Sequence, residues 1–315
     1  MTDYSELTTR EAFGKALTEL GGQDQRIVVL DADLSRSTMT KYFAQAYPDR
    51  FIQCGLAEQN MISIAAGLAT CGKIPFASTF AVFASSRCFD QVRMCVAQPR
   101  TNVKIVSTHG GITVGEDGSS HQAIEDISLY CSLPNFNVVV PADSIETVEA
   151  IRAAAATEGP FYVRLGRSKT PVVYTSGCNF RLGKADMLRE GADAAIIATG
   201  IMVYRAVEAA ETLGKSGIRC RVLNMSSIKP IDRQAIEAAA AETGAIVTAE
   251  EHLLHGGLGS IVAQVLASGT PVPLASLGIK DTYCKSGNPE ELLEANGLTA
   301  GDIVAAIRSV IARKK

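Results

Sequence analysis

Short runs of Val, Ile and Ala alternate with helix-forming stretches along most of the chain, and the alternation starts twice. Alternation of this kind builds a parallel sheet with helices on its faces. The first series predicts strands at 26–30, 74–77, 103–107, 137–140 and 161–165, and helices at 9–20, 58–70, 81–97 and 144–157. The second series predicts strands at 194–199, 218–224, 245–249 and 272–277, and helices at 203–214, 232–243, 258–267 and 300–312. The predicted fold class is α/β, with two consecutive parallel-sheet α/β domains.

The stretch 168–190 separates the two series. Its prolines and glycines show no helical or strand periodicity, which is typical of a connector on the surface. We therefore predict a first domain at 1–170, a connector at 171–190 and a second, smaller domain at 191–315. A chain of 315 residues with 47% hydrophobic residues is long and apolar enough to fill both cores.

The net charge of -3 argues against a dominant nucleic-acid or anionic-membrane surface, because phosphate binding on that scale needs an excess of basic residues. The first residues are polar and acidic, and no apolar run reaches the roughly 20 residues of a membrane span. The eight cysteines are scattered without a C-x-x-C pair, as expected for reduced thiols. We therefore expect a cytoplasmic protein that binds neither nucleic acid nor membrane.

A glycine-rich polar loop, 115–122, follows the predicted strand at 103–107. It contains Asp117 and His121, and His109 lies just before it. The end of a strand is the usual place for a site in a parallel α/β sheet. Because imidazole titrates near neutral pH, the two histidines can exchange protons at a carbonyl and bind polyol hydroxyls together with Asp117. A purely structural loop is the alternative.

Glu58 stands at the start of a predicted helix, where the helix dipole favours an acidic residue whether or not it has a function. Phe80 and Phe83 follow soon after and can form an apolar wall beside the carboxylate, although packing in the core is the simpler role for them. A carboxyl group desolvated in such a pocket can share a hydrogen bond and a proton with a nitrogen of a heterocyclic ring. Glu58 is therefore a candidate catalytic residue.

Arg10, Arg164 and Arg167 are candidates for binding a phosphate, because the guanidinium fork matches two phosphate oxygens. Ser37, in the turn after the first strand, can add a hydroxyl donor to the same anion. A surface charge is the alternative for each arginine, and a turn or helix cap is the alternative for Ser37.

The stretch 256–259 (GGLG) follows a predicted strand and opens a helix, as in nucleotide-binding loops. Val262 stands where such loops carry their third glycine, so close packing of the helix on the strand is favoured. His252 and His255 are three residues apart but have no acidic or thiol neighbours placed as ligands, so we predict no metal site in this chain.

Five stretches resemble transketolase, in order and at matching spacing, and the resemblance covers essentially the whole chain. They are 31–35 (DADLS), 55–61 (GLAEQNM), 78–83 (STFAVF), 108–122 (THGGITVGEDGSSHQ) and 250–259 (EEHLLHGGLG). The resemblance is to the C-terminal half of transketolase only. It implies a pyrimidine-binding domain followed by a transketolase C-terminal domain, as in the short subunit of split transketolases.

The resemblance implies that the chain binds thiamine diphosphate. By position, Glu58 matches the acid that hydrogen-bonds the aminopyrimidine and promotes its imino form. Phe80 and Phe83 match aromatic residues of the pyrimidine pocket, and Asp33 matches an acid near the cofactor. The cofactor itself is the electron sink for the carbanion.

The resemblance also implies a sugar-phosphate site. His109, Asp117 and His121 match contacts to substrate hydroxyls and the carbonyl, and both histidines are expected to take part in catalysis. Arg10, Ser37 and Arg167 match the residues that hold the phosphate.

The sequence departs from the family pattern in two places. Ser86 stands where some transketolases place a larger pocket residue. The Gly-Asp-Gly motif with an Asn roughly thirty residues later is missing, and 116–118 (EDG) is the nearest string. The ligands for the diphosphate and for Mg²⁺ or a similar cation are therefore expected on an N-terminal partner subunit, in an α2β2 assembly.

The hypothesis from the sequence is a thiamine-diphosphate-dependent transketolase that moves a two-carbon ketol unit from a ketose phosphate to an aldose. Two alternatives stay open. One is the β subunit of a 2-oxoacid dehydrogenase or an enzyme related to deoxyxylulose-phosphate synthase. The other is a regulatory homologue without catalysis.

Overall fold

The computed structural model describes residues 3–175 and 177–314. Positions 1 and 2 of the predicted first domain, position 176 of the predicted connector and position 315 of the predicted second domain lie outside the described residues. The helices are α1 (Thr9–Gln23), α2 (Ser35–Thr38), α3 (Lys41–Ala46), α4 (Glu58–Thr70), α5 (Phe89–Gln91), α6 (Asp126–Ser132), α7 (Ser144–Ala156), α8 (Met202–Lys215), α9 (Arg233–Thr243), α10 (Leu258–Ser268), α11 (Pro289–Ala295) and α12 (Ala300–Ile311). The strands are β1 (Ile27–Asp31), β2 (Phe51–Gln53), β3 (Ile74–Phe80), β4 (Lys104–Thr108), β5 (Asn137–Val139), β6 (Phe161–Arg164), β7 (Asp186–Arg189), β8 (Ala194–Ala198), β9 (Cys220–Asn224), β10 (Ser227–Lys229), β11 (Ile246–Leu253) and β12 (Leu274–Ile279).

The first sheet has seven strands in the order β10-β5-β6-β4-β3-β1-β2. Successive side chains of a strand point to opposite faces, and β1 is apolar on both. Ile27 and Val29 pack with α1 and α7, whereas Val28 and Leu30 pack with α4 on the other face. The sheet is therefore covered by helices on both sides, as the alternation predicted.

The second sheet has five strands in the order β12-β11-β8-β9-β7. Each sheet is parallel except at one edge, where β10 pairs antiparallel with β5 and β7 pairs antiparallel with β9. The sequence did not predict either edge strand, because β10 is three residues long and β7 is half-exposed, without apolar runs. β7 also lies inside the range predicted as a connector. The domain boundaries at 170 and 190 stay predictions.

The two domains are in contact and share part of one hydrophobic core. β10 follows the second-sheet strand β9 in the chain but joins the first sheet. Met225 and Leu258 belong to the same apolar cluster as Leu30. Two buried side chains also form a hydrogen bond between the domains. Asn224 Nδ2, on β9 of the second sheet, donates to the carboxylate of Glu146, on α7 beside the first sheet, at 2.9 Å. Burial raises the pKa of Glu146 to about 7.

The helix predicted at 81–97 has wider turns than an α-helix over most of its length. It forms π-helical segments at Phe83–Arg87 and Val92–Ala97 on either side of α5. A π-turn changes which side chains share a face, and such turns are frequent at functional sites. In this case the first π-turn ends at Arg87, beside Glu58.

None of the helices formed by residues 3–175 and 177–314 combines the length and the apolar content that a membrane-spanning helix requires.

Candidate active site

The site residues meet where neighbouring strands of the first sheet end. Phe80 is the last residue of β3, and His109 follows β4 directly. Glu58 begins α4, which leads from β2 to β3. Because parallel strands end at the same edge of a sheet, residues that are far apart in the chain come together there.

Phe80 stacks with the rings of Phe83 and His109, and the His121 ring lies edge-on to this stack. The centroids of Phe80 and His109 are 3.8 Å apart with the rings 26° from parallel, and those of Phe80 and Phe83 are 5.9 Å apart. His121 meets Phe83 edge-on at 5.5 Å. The structure thus brings the predicted pocket phenylalanines and the predicted substrate histidines into one cluster.

Glu58 is buried, with 2% of its side chain exposed, and it is paired with a residue that the sequence did not single out. Arg87 Nη1 donates to Glu58 Oε1 at 2.8 Å. The Arg87 guanidinium lies over the Phe83 ring, 4.5 Å from its centroid, and its side chain is half-exposed. The one available signal was the spacing of Phe83 and Arg87, four residues apart in a predicted helix, which places them on one face.

The His109 ring is buried and lies beside several positive groups. Burial, with smaller effects of the neighbouring Arg10, Arg167 and His121, lowers the pKa of His109 to about 3. Its Nδ1 is 2.7 Å from the Thr108 hydroxyl. The ring is therefore neutral at physiological pH and can both donate and accept a hydrogen bond.

We expect nuclear magnetic resonance to show no titration of the folded His109 ring from about pH 8 down to about pH 5. The unfolded chain takes up this proton near pH 6.5 and the folded chain only near pH 3. The stability that neutral His109 contributes is therefore complete above about pH 6.5 and is lost as the pH falls toward the folded pKa. The His109→Gln variant assigns the signal, and the chain unfolded in urea is the control. A folded His109 signal that titrates near pH 6.5 would contradict this expectation.

Arg10 and Arg167 form the positive side of the site. Arg10 Nη1 donates to the Ser37 carbonyl at 3.0 Å, while its buried Nε has no partner. Burial lowers the pKa of Arg10, and the neighbouring charge of Arg167 lowers it further. Arg167 donates to the Val114 carbonyl, and its Nη1 is 3.5 Å from an Asp117 carboxylate oxygen. Two neighbouring guanidinium groups, one of which has a buried N–H without a hydrogen-bond partner, favour the binding of an anion here.

Asp33 follows the end of β1, another strand of the first sheet. Its side chain is exposed, its φ is +64°, and its N–H donates to the Gln53 side-chain carbonyl at 2.8 Å. The buried neighbour Asp31 accepts hydrogen bonds from the hydroxyls of Thr38 and Thr40 at 2.7 and 2.9 Å. Asp31 thereby shapes the turn that carries Asp33.

Arg164, a candidate for phosphate binding from the sequence, has a structural role. It is 6% exposed, and its Nε donates to Asp126 Oδ2 at 2.8 Å. Its Nη2 donates to the carbonyls of Ala123 and Glu251 at 3.1 and 2.9 Å. The sequence could not distinguish the role of Arg164 from that of Arg167, because the two arginines differ in their burial and contacts, which only the structure shows.

The GGLG stretch packs closely, as predicted. The Glu250 carboxylate accepts the N–H groups of Leu258 and Gly259 at 2.7 and 2.8 Å. A Cβ on Gly257 would lie 2.0 Å from Glu250 Oε2. An internal carboxylate therefore already occupies the start of α10. The nearby His252 is buried, and its Nε2 accepts the N–H of Ser128 at 3.3 Å.

Within residues 3–175 and 177–314, no three His, Cys, Asp or Glu side chains are grouped so that they could hold a metal ion.

Comparison with known proteins gives consistent matches over nearly the whole chain. Residues 5–172 match the family described as the transketolase pyrimidine-binding domain, and residues 183–303 match the transketolase C-terminal domain. A 6-deoxy-6-sulfo-D-fructose transketolase subunit of Clostridium sp. (strain MSTE9) is 44% identical, over 97% of this chain and 95% of its own length. Transketolase of Homo sapiens is 38% identical over 98% of this chain, which spans only 50% of that relative. A solved structure described as a split-gene transketolase, inactive β4 tetramer, is 50% identical with a TM-score of 0.90, over 98% of this chain and 99% of that one.

Proposed function

Since this chain belongs to the transketolase family, we propose that it is the C-terminal subunit of a two-chain enzyme that transfers a two-carbon ketol unit from a ketose phosphate to an aldose. The observation that carries the proposal is the cluster of Glu58, Phe80, Phe83, His109 and His121 at one edge of the first sheet. It combines a buried carboxylate, an aromatic wall and two imidazoles within reach of one ligand.

The cluster fits the aminopyrimidine of thiamine diphosphate. The Arg87 guanidinium is itself a flat, N–H-donating group, and it already lies between the Glu58 carboxylate and the Phe83 ring. A flat ring with a hydrogen-bonding edge can take the same place when Arg87 moves aside. When bound, thiamine diphosphate supplies the electron sink for the carbanion.

Each residue has a role in this proposal. Glu58, buried in an apolar pocket, binds the ring nitrogen and shares its proton. His109 and His121 orient the sugar carbonyl and hydroxyls, and the neutral His109 donates or accepts a hydrogen bond without adding charge. Arg10 and Arg167, with Ser37 beside them, hold the phosphate. Asp117 binds a hydroxyl, and Asp33 lies near the cofactor.

The partner is an N-terminal subunit that supplies the ligands for the diphosphate and for Mg²⁺ or a similar cation. The solved relative described as a split-gene transketolase, inactive β4 tetramer, supports this part of the proposal, since an assembly of β chains is described there as inactive. We expect an α2β2 assembly in the cytoplasm.

The test is an assay of this chain with and without an N-terminal subunit that carries the Gly-Asp-Gly motif. The complex is expected to transfer a ketol unit from a ketose phosphate, while this chain alone shows no turnover and pyruvate is not decarboxylated. A 6-deoxy-6-sulfo ketose belongs in the panel, because a sulfonate, like a phosphate, is a tetrahedral anion, and the Clostridium relative carries that substrate in its name. Ketol transfer by this chain alone would contradict the proposal. Turnover of pyruvate instead would favour the 2-oxoacid dehydrogenase alternative, and a complex without turnover would favour the regulatory one.

A further inference from the structure

The loop 109–113, which begins with His109, lies directly on two buried charged side chains. A Cβ on Gly110 would be 2.7 Å from Arg164 Nε, and a Cβ on Gly111 would be 2.1 Å from the carboxyl carbon of Glu251. Gly111 also has a φ of +82°, which favours glycine. Only a backbone without side chains at these two positions can approach the two charges so closely.

Glu251 belongs to β11 of the second sheet, 138 residues further along the chain than its contact in this loop. Its Oε1 accepts the N–H of Thr113 at 2.6 Å, and the side chain is buried. Burial raises the pKa of the Glu251 carboxyl, while Arg164 and the N–H groups of Thr113 and Ile112 favour its charged form. A carboxylate that accepts backbone N–H groups forms charge-assisted hydrogen bonds, which are stronger than neutral ones.

We propose that Glu251 is a positioning residue, by which the second domain sets the path of loop 109–113 and so holds the His109 ring against Phe80. His109 has a φ of +62°, a conformation that a non-glycine residue keeps only when its surroundings impose it. The loop is anchored on one side by the ring stack and on the other by Glu251. The consequence for catalysis rests on the proposed function, in which His109 orients the substrate.

The test compares Glu251→Gln with Glu250→Gln in the complex with the N-terminal subunit. Both residues are buried on β11 and accept backbone N–H groups, but Glu250 does so only at the start of α10. Glu251→Gln is expected to lower kcat by about tenfold or more and to leave the cofactor affinity within about twofold, because small displacements of reacting groups are costly. Glu250→Gln is expected to lower the melting temperature and leave kcat unchanged.

Amide hydrogen exchange in this chain gives a second readout that does not depend on activity. The amides of 111–113 are expected to exchange faster in Glu251→Gln than in the wild type, and at the wild-type rate in Glu250→Gln. If Glu251→Gln does not fold, Glu251→Asp, which keeps the charge and shortens the side chain by one methylene, replaces it in both measurements.

Three outcomes separate the possibilities. The proposal is overturned if Glu251→Gln keeps both wild-type kcat and wild-type exchange, or if Glu250→Gln loses as much kcat as Glu251→Gln does. A wild-type complex without ketol transfer contradicts the proposed function alone, and the exchange rates then decide whether Glu251 anchors the loop.

Discussion

Glu58→Gln is expected to lower kcat for ketol transfer by about a hundredfold to ten-thousandfold, the range typical of a lost proton-transfer residue. Glutamine has nearly the size of glutamate and can still accept a hydrogen bond from Arg87, so the pocket keeps its shape. Its amide cannot take up or release a proton near neutral pH. The measurement is the initial rate in the complex at saturating cofactor and substrate.

Glu146→Gln is the matched control for this prediction. Glu146 is as deeply buried as Glu58, but it lies at the contact between the two domains, where it binds Asn224. We expect this variant to keep wild-type kcat even where it unfolds more easily. A Glu58→Gln complex with kcat within about threefold of the wild type would show that Glu58 moves no proton in the rate-limiting step.

Arg164→Met is expected to lower the free energy of unfolding by about 3–5 kcal/mol, the usual cost of removing one partner of a buried ion pair. The change leaves the Asp126 carboxylate buried without its counter-charge, since Tyr162 Oη is then its remaining donor on Oδ2, at 2.6 Å. It also removes a donor from the carbonyls of Ala123 and Glu251. Urea denaturation followed by circular dichroism measures the difference.

Arg152→Met is the exposed counterpart, because Arg152 pairs with Glu149 on the surface of α7. Removing such a pair is expected to cost only a few tenths of a kcal/mol. The double variant Arg164→Met with Asp126→Asn should recover part of the loss, since no uncompensated charge stays buried. An Arg164→Met protein within about 1 kcal/mol of the wild type would mean that water reaches Asp126.

The sequence predicted the fold best where an unbroken run of apolar residues indicates a buried strand. β1 and β8 are buried along their whole length, and their apolar runs are visible without a structure. β7 and β10 were missed because an edge strand is defined by its neighbour rather than by its own residues. The wide turns at 83–87 were missed because helical periodicity does not separate α from π over so few residues.

The sequence points to several individual residues of the candidate site, but it does not predict the contacts between them. Glu58, Phe80 and His109 stand in motifs that resemble a known family. Arg87 and Glu251 are bound to partners 29 and 138 residues away, and no local pattern connects such pairs. Arg164 shows the converse, because its residue type suggested phosphate binding and only its burial against Asp126 revealed a structural role.

The pairing of Arg87 with Glu58 makes cofactor loading, in the proposed function, a competition between two donors for one carboxylate. The pyrimidine ring enters only those molecules in which the arginine has swung away, so its apparent affinity is the intrinsic affinity reduced by that fraction. Arg87 is half-exposed and has water to move into. The Glu58 carboxylate thus has a hydrogen-bonded counter-charge in the absence of the cofactor. Pairing with Arg87 avoids the free-energy cost of burying an unpaired carboxylate before the cofactor and the partner subunit bind.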